Sequence, residues 1–214
     1  MEKFTKTYEV YDYNELSETA KEKVKNYYST SGIRNDLFQE NIEYKLNYYF
    51  KNSSLDYQYS LDSCQGDGVN IYGKINVDDI FDTFVSKELD VFLRKNIIPQ
   101  IKMHIPSKEM FAEFKDFVNR NYLSIIIPCN DRYTYSLADR LYLDGDIYDA
   151  IDFSNELLLC VDTVRKFLIE YIDAFNNYFE KFGYDFLYNI SDEDMEECCI
   201  ANEWKFLRNG DFFE

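Results

Sequence analysis

Five cysteines and one histidine bound the nucleophilic and metal chemistry open to this 214-residue chain. Cys64, Cys129, Cys160, Cys198 and Cys199 form no C-x-x-C pair, and His104 stands alone in IKMHIP. A Cys/His zinc site would therefore need an unusual assembly. Cys64 as nucleophile with His104 as base is the one Cys–His couple the composition permits. No spacing ties the two together, and a free Cys more often behaves as a small buried hydrophobe. His104 reads as a partly buried strand residue. No catalytic residue, metal ligand or cofactor is expected.

Carboxylates are the more abundant resource. LADRLYLDGDIYDAID gathers Asp139, Asp144, Asp146, Asp149 and Asp152. A calcium loop of the EF-hand kind needs oxygen ligands at alternating positions, a central Gly and a closing Glu at the twelfth. Here Tyr142 and Arg140 precede Asp144 by two and four residues, and no Glu closes the loop, so the segment reads as a solvated acidic turn. No paired-carboxylate motif points to divalent-metal hydrolysis. The second cluster is Asp192, Glu193, Asp194, Glu196 and Glu197, placed behind Ser191 where acids favour a helix start. The knot Gln65, Gly66, Asp67, Gly68 sits between two alternating runs. Its glycines could form an anion nest, but no P-loop Lys or Ser/Thr follows, and glycine turns with a local Asp bond are what a hairpin needs.

Charge narrows the partners. The formal net charge is −17, and residues 151–214 carry 5 Lys/Arg against 15 Asp/Glu, a net of −10. Such a chain repels nucleic-acid backbones and anionic membranes, whose binders need a basic face. A basic protein partner is accommodated instead. The clusters at 192–197 and at Asp144, Asp146 and Asp149 are the candidate partner-binding residues, an acidic face able to imitate a phosphate backbone. The odd cysteine count and the absence of an apolar leader in MEKFTKTYEVYDYNELS suggest a cytoplasmic protein.

The elements that must position these groups mix two periods. TKTYEVYDY reads as a first strand. LSETAKEKVKNYY is a helix capped by Ser17, with Leu16, Ala20, Val24 and Tyr27 on one face. A second helix is expected from about Asp36 to Phe50 through Phe38, Ile42, Leu46 and Tyr49. Leu55 to Leu61 and Val69 to Val77 alternate as a β-hairpin. DDIFDTFVSKELDVFLRK returns to helical spacing through Ile80, Phe84, Leu89 and Phe92. IKMHI suggests a strand, KEMFAEFKDFVNRNY a helix, and LSIIIPCNDRYTYSLADRLYLD two extended pieces. A long helix spans about 154–182 through Leu157, Val161, Val164, Leu168, Ile172, Phe175 and Phe179. SDEDMEECCIANE is a short helix, and WKFLRNGDFF closes on an Asn-Gly turn. With no regular β-α-β spacing, an α+β fold with an antiparallel sheet over a single domain, 1–214, fits best.

YDYNELSETAKEKVKNYY, YSLDSCQGDGVNIYG and NISDEDMEECCIANEWKFLRNGDFF together resemble a family carried by bacteriophages and mobile elements. Its members show a similar L-S-E-x-A-K-x-K opening, Q-G-D-G hairpin and S-D-E-led ending through A-N-E. This chain departs by placing Cys198 and Cys199 where less reactive residues are usual and Trp204 at an aromatic position. The resemblance brings no activity or catalytic residue; it implies a phage accessory protein in a bacterial host cell. Together with the charge, it suggests a non-enzymatic inhibitor of a nucleic-acid-handling defence protein such as a Cas effector or other defence nuclease, of the anti-CRISPR kind. Reversal of Asp192, Glu193 and Glu196 to Lys is then expected to weaken partner binding and spare the fold. The alternative is an antitoxin-like or regulatory module with an aromatic interface.

Overall fold

A computed structural model describes residues 6–30, 32–61, 67–129, 141–145 and 154–213. The chain is α+β. Its helices are α1 (Glu18–Thr30), α2 (Ile33–Tyr49), α3 (Val77–Phe81), α4 (Lys108–Arg120), α5 (Asn155–Tyr188) and α6 (Asp192–Ala201). Its strands are β1 (Ser54–Ser60), β2 (Gly68–Ile75), β3 (Ser124–Ile127) and β4 (Tyr142–Asp144), an antiparallel sheet in the order β1-β2-β3-β4. The contacts gather Met1–Asn41 with Gly183–Glu214 into one compact unit, here the terminal unit, and Ile42–Phe182 into a second, the central unit.

In the terminal unit the expected first strand is reduced to one bridge, Tyr11 to Phe206, and Phe206 bridges in turn to Phe212. The chain leaves Tyr11 at once for a 3-10 turn at Tyr13–Glu15, where the Glu15 carboxylate accepts the Asp12 N–H at 2.8 Å. Ser17 Oγ accepts the Ala20 N–H at 3.4 Å and opens α1. That helix buries Leu16, Ala20, Val24 and Tyr28, while Tyr27, expected inward, is exposed. The partners of this core select residue 28: its ring meets Trp204 edge-on at 5.8 Å and its hydroxyl accepts the Cys198 thiol at 3.4 Å. Met195, Cys199 and Phe206 complete this core, with Trp204 and Phe212 packed against it. The Asn209–Gly210 turn stands against α1, where Gly210 has φ +81° and a Cβ would sit 2.6 Å from the Ala20 carbonyl oxygen.

The end of α6 has a distinct geometry. Trp204 N–H donates to the Cys199 carbonyl at 2.9 Å and Glu203 N–H to the Ile200 carbonyl at 3.1 Å, the paired closing bonds of a Schellman motif. Glu203 therefore occupies the left-handed position, φ +56°, that usually falls to glycine.

In the central unit β1 and β2 pair from Ser54 opposite Lys74 to Ser60 opposite Gly68, the hairpin that the alternation predicts. β3 pairs only with Gly73–Ile75, so the Ile71 N–H lies beyond its reach and donates instead to Asn176 Oδ1 of α5 at 3.0 Å. α5 runs six residues beyond the expected end. It buries Val164, Leu168, Ile172, Phe175 and Phe179 as its spacing predicts, and also Phe167, Ile169, Tyr171 and Ala174. The buried sector is wider than one stripe because rings pack from several sides: Phe84 stacks on Phe111 at 5.2 Å and meets Phe167 and Tyr171 edge-on. Each buried Phe or Leu contributes about 1.5–3 kcal/mol of transfer free energy.

Two expected elements differ. The helix through Leu89 and Phe92 breaks at residues 87–90: α3 widens into a π-turn at Asp82–Ser86, and a second π-turn occupies Leu93–Ile97. Asp90 makes the break, since its carboxylate accepts the Leu93 N–H at 2.8 Å and restarts the helical path. IKMHI forms no strand, because the Lys102 and Met103 N–H groups donate to the Glu170 carboxylate of α5 at 2.7 and 3.1 Å. His104 is consequently exposed rather than partly buried.

Candidate functional site

Ser191 caps α6 by accepting the Asp194 N–H at 3.0 Å, so five carboxylates enter the terminal unit on its first two turns. They divide by role. Asp192 accepts Lys25 Nζ at 2.5 Å and the Tyr13 hydroxyl at 2.9 Å. Those two donors hold its carboxyl below the usual carboxylate range. In return, burial first and Asp192 second push the Tyr13 phenol upward. Glu196 accepts the Asn14 amide at 3.0 Å. Asp192 and Glu196 thus tie α6 to the 3-10 turn and α1. Charge reversal at 192 and 196 would remove these ties as well as surface charge, so the triple variant does not isolate the surface. Glu193, Asp194 and Glu197 are exposed, and no ion pair joins them to a cation among the described residues.

Four lysines of this unit are paired with other carboxylates. Lys21 pairs with Glu18 at 3.6 Å, Lys23 with Asp211 at 2.5 Å, Lys25 also with Glu22 at 3.5 Å, and Lys205 with Asp12. Arg34 is 6 % exposed and lies between the rings of Tyr28 and Phe186, at 5.6 and 4.7 Å. Its Nε and Nη1 find no hydrogen-bond partner among the described residues, and burial lowers its pKa. Residues 1–41 and 183–214 together hold 8 Lys/Arg against 17 Asp/Glu. The surplus lies with side chains such as Glu193 and Glu197, which follow one another at i, i+4 on the outer face of α6 and lead to Ile200, 70 % exposed.

The remaining candidates are dispersed. Asp144 ends β4 in the central unit, paired with Ser124 and exposed. Asp146 and Asp149 lie outside the described residues, as do Asp139, Asp152, Cys64, Gln65 and Gly66. Asp67 accepts the Ser60 hydroxyl at 3.0 Å across the base of the hairpin, and Gly68 opens β2 opposite Ser60. Glu180 of α5 has its pKa raised by burial and then by the charge of Asp67. Cys160 donates to the Met110 carbonyl at 3.3 Å, and burial pushes its thiol up to about 11. Cys199 is pushed up to about 12, by burial and then by Cys198. A protonated, buried thiol is a poor nucleophile. Among the described residues no three His, Cys, Asp or Glu side chains converge as metal ligands, and no helix is long and apolar enough to cross a membrane.

Sequence reading alone located α6 and its acids but missed Lys25, Tyr13 and Asn14, which select the two that serve the fold. It also missed Glu203 and Trp204 as a paired feature; the available signal was ANEW, a helix end with Glu where Gly is usual. No protein-family model, curated protein or solved structure matches the chain.

Proposed function

We propose that this protein is a non-enzymatic inhibitor that binds a basic, nucleic-acid-handling host protein through the carboxylate surface of its terminal unit. The observation that carries this reading is the division of the α6 acids: Glu193, Asp194 and Glu197 face solvent while Lys21, Lys23, Lys25 and Lys205 are paired with other carboxylates. Like charges held close together cost self-repulsion that a helix cap does not require, and a basic groove relieves that cost. The motif resemblance to a phage and mobile-element family supports a defence nuclease, a Cas effector among them, as the target class, with the bacterial cytoplasm as the setting.

The test combines ionic strength with charge reversal away from the structural pairs. In a titration against the purified partner, Glu193→Lys with Glu197→Lys is expected to weaken binding by at least about tenfold. Wild-type affinity should also fall steeply with added salt. The unfolding midpoint of the double variant should change little, since lysines near a helix start cost at most about 1 kcal/mol each. Salt-independent affinity together with an unaffected double variant would exclude the acidic surface.

A second reading rests on exposed rings in the same unit. Tyr8 packs on Phe213 at 5.5 Å and Tyr27 on Phe212 at 4.7 Å, and Tyr8, Tyr27 and Phe213 are all exposed. A regulatory or antitoxin-like partner would bury these rings through a contact that salt barely affects. Tyr27→Ala would then weaken binding more than reversal of Glu193 and Glu197.

A further inference from the structure

The terminal unit holds a concave pocket of about 520 Å³ between the 3-10 turn and the C-terminal end of α6. One part of its lining is apolar: Ile200, and Trp204, whose ring is fixed edge-on by Tyr28 at 5.8 Å and Phe212 at 5.2 Å. The other part is anionic: Glu196, Glu203 and Asp12, with Lys205 the one cation among the described lining residues and already paired to Asp12. No hydrogen bond or ion pair within 4 Å engages the Glu203 carboxylate among the described residues, although its charge acts on Lys205, and its backbone is held by the closing bonds of α6. We propose that this pocket takes an arginine side chain of the partner, its guanidinium against the Trp204 indole and bridging the Glu196 and Glu203 carboxylates.

The inference rests on the proposed docking of a basic protein to this unit and names the group that is recognised. Three carboxylates against one lysine disfavour an anionic occupant. An indole beside separated carboxylates suits a planar, weakly hydrated cation better than a compact ammonium, because guanidinium stacks on aromatic faces and donates along two directions at once. The left-handed backbone at Glu203 offers a clean variant. Glycine at that position removes the carboxylate and relieves the backbone, so a loss of binding there cannot be attributed to a damaged fold.

Trp204 is the sole tryptophan, so intrinsic emission reports on this pocket directly. The intact chain is titrated with a short amidated peptide alternating Gly and Arg, and with its Gly-Lys and Gly-Glu counterparts. Binding is followed by Trp204 emission and by calorimetry. The arginine peptide is expected to change the emission saturably, the lysine peptide to bind several-fold more weakly, and the glutamate peptide not at all. Glu203→Gly is expected to lower arginine-peptide affinity by about tenfold while unfolding at a higher temperature. Equal affinities for arginine and lysine, or undiminished affinity in Glu203→Gly, overturn the arginine pocket. So does calorimetric, salt-sensitive binding that leaves the emission unmoved, and in that case the acidic docking face stands. Absence of calorimetric binding for both basic peptides overturns the docking face as well.

Discussion

Asp79 shows how one carboxylate can organise a segment. It is 2 % exposed and accepts the Asn52 N–H at 3.0 Å, the Asn52 amide at 2.7 Å and the Ser53 hydroxyl at 2.7 Å, so the turn that leads from α2 into β1 is pinned to α3. Asp79→Asn presents an amide to those donors and leaves at least one of them unsatisfied. The expected loss is about 2–4 kcal/mol, read from urea unfolding. The acids DD at 78–79 are plain in the sequence as a helix start, yet Asn76 supplies the cap, accepting the Asp78 N–H at 2.9 Å. Which of the three adjacent polar residues points inward depends on a turn 26 positions upstream, and no local pattern encodes that. Glu203 is the converse case. Its left-handed backbone costs on the order of 1 kcal/mol relative to glycine, and the stability gained by Glu203→Gly measures that cost directly.

Elements with a strong local signal were legible in the sequence. The period of α5, the alternation of β1 and β2, and the serine caps of α1 and α6 recur in the structure. Ser107 accepts the Met110 N–H at 3.3 Å, and Ser107→Ala should cost about 1 kcal/mol in thermal unfolding. What the sequence hid was set by tertiary partners. Glu170 removes the strand expected at IKMHI, Asp90 divides a helix, and Phe206 takes up Tyr11 before a first strand can form. Gly73 belongs with these. It sits at φ +119° in β2, opposite Leu55 on one side and Ile127 on the other, and an added Cβ would stand 2.3 Å from the Ser54 carbonyl oxygen. Gly73→Ala is therefore expected to destabilise the hairpin by on the order of 3 kcal/mol. The loss should show as faster amide exchange along β1 and β2 than along α4.

At the scale of the whole chain, a net charge of −17 gives salt two opposite effects. Screening eases self-repulsion and should raise the melting temperature, while the same ions weaken attachment to a basic partner. The phenols add a pH dependence. Tyr13, Tyr49 and Tyr57 are raised by burial first, then by Asp192, Asp90 and Glu43 respectively, and Tyr28 is pushed up to about 12. A phenol raised in the folded state contributes stability that is intact below its unfolded value near 10 and is lost as pH rises beyond it. Alkaline unfolding should therefore coincide with tyrosinate absorbance in a titration above that pH. The bridge from Tyr11 to Phe206 carries a consequence for biogenesis. While the ribosome is still translating, α1 has emerged without the Met195, Cys199 and Phe206 that cover its inner face. The early segment must therefore wait, open to chaperones and proteases, until nearly two hundred codons later its counterpart arrives. A messenger cut short before those codons would yield chains whose central hairpin can form but whose acidic surface is never assembled.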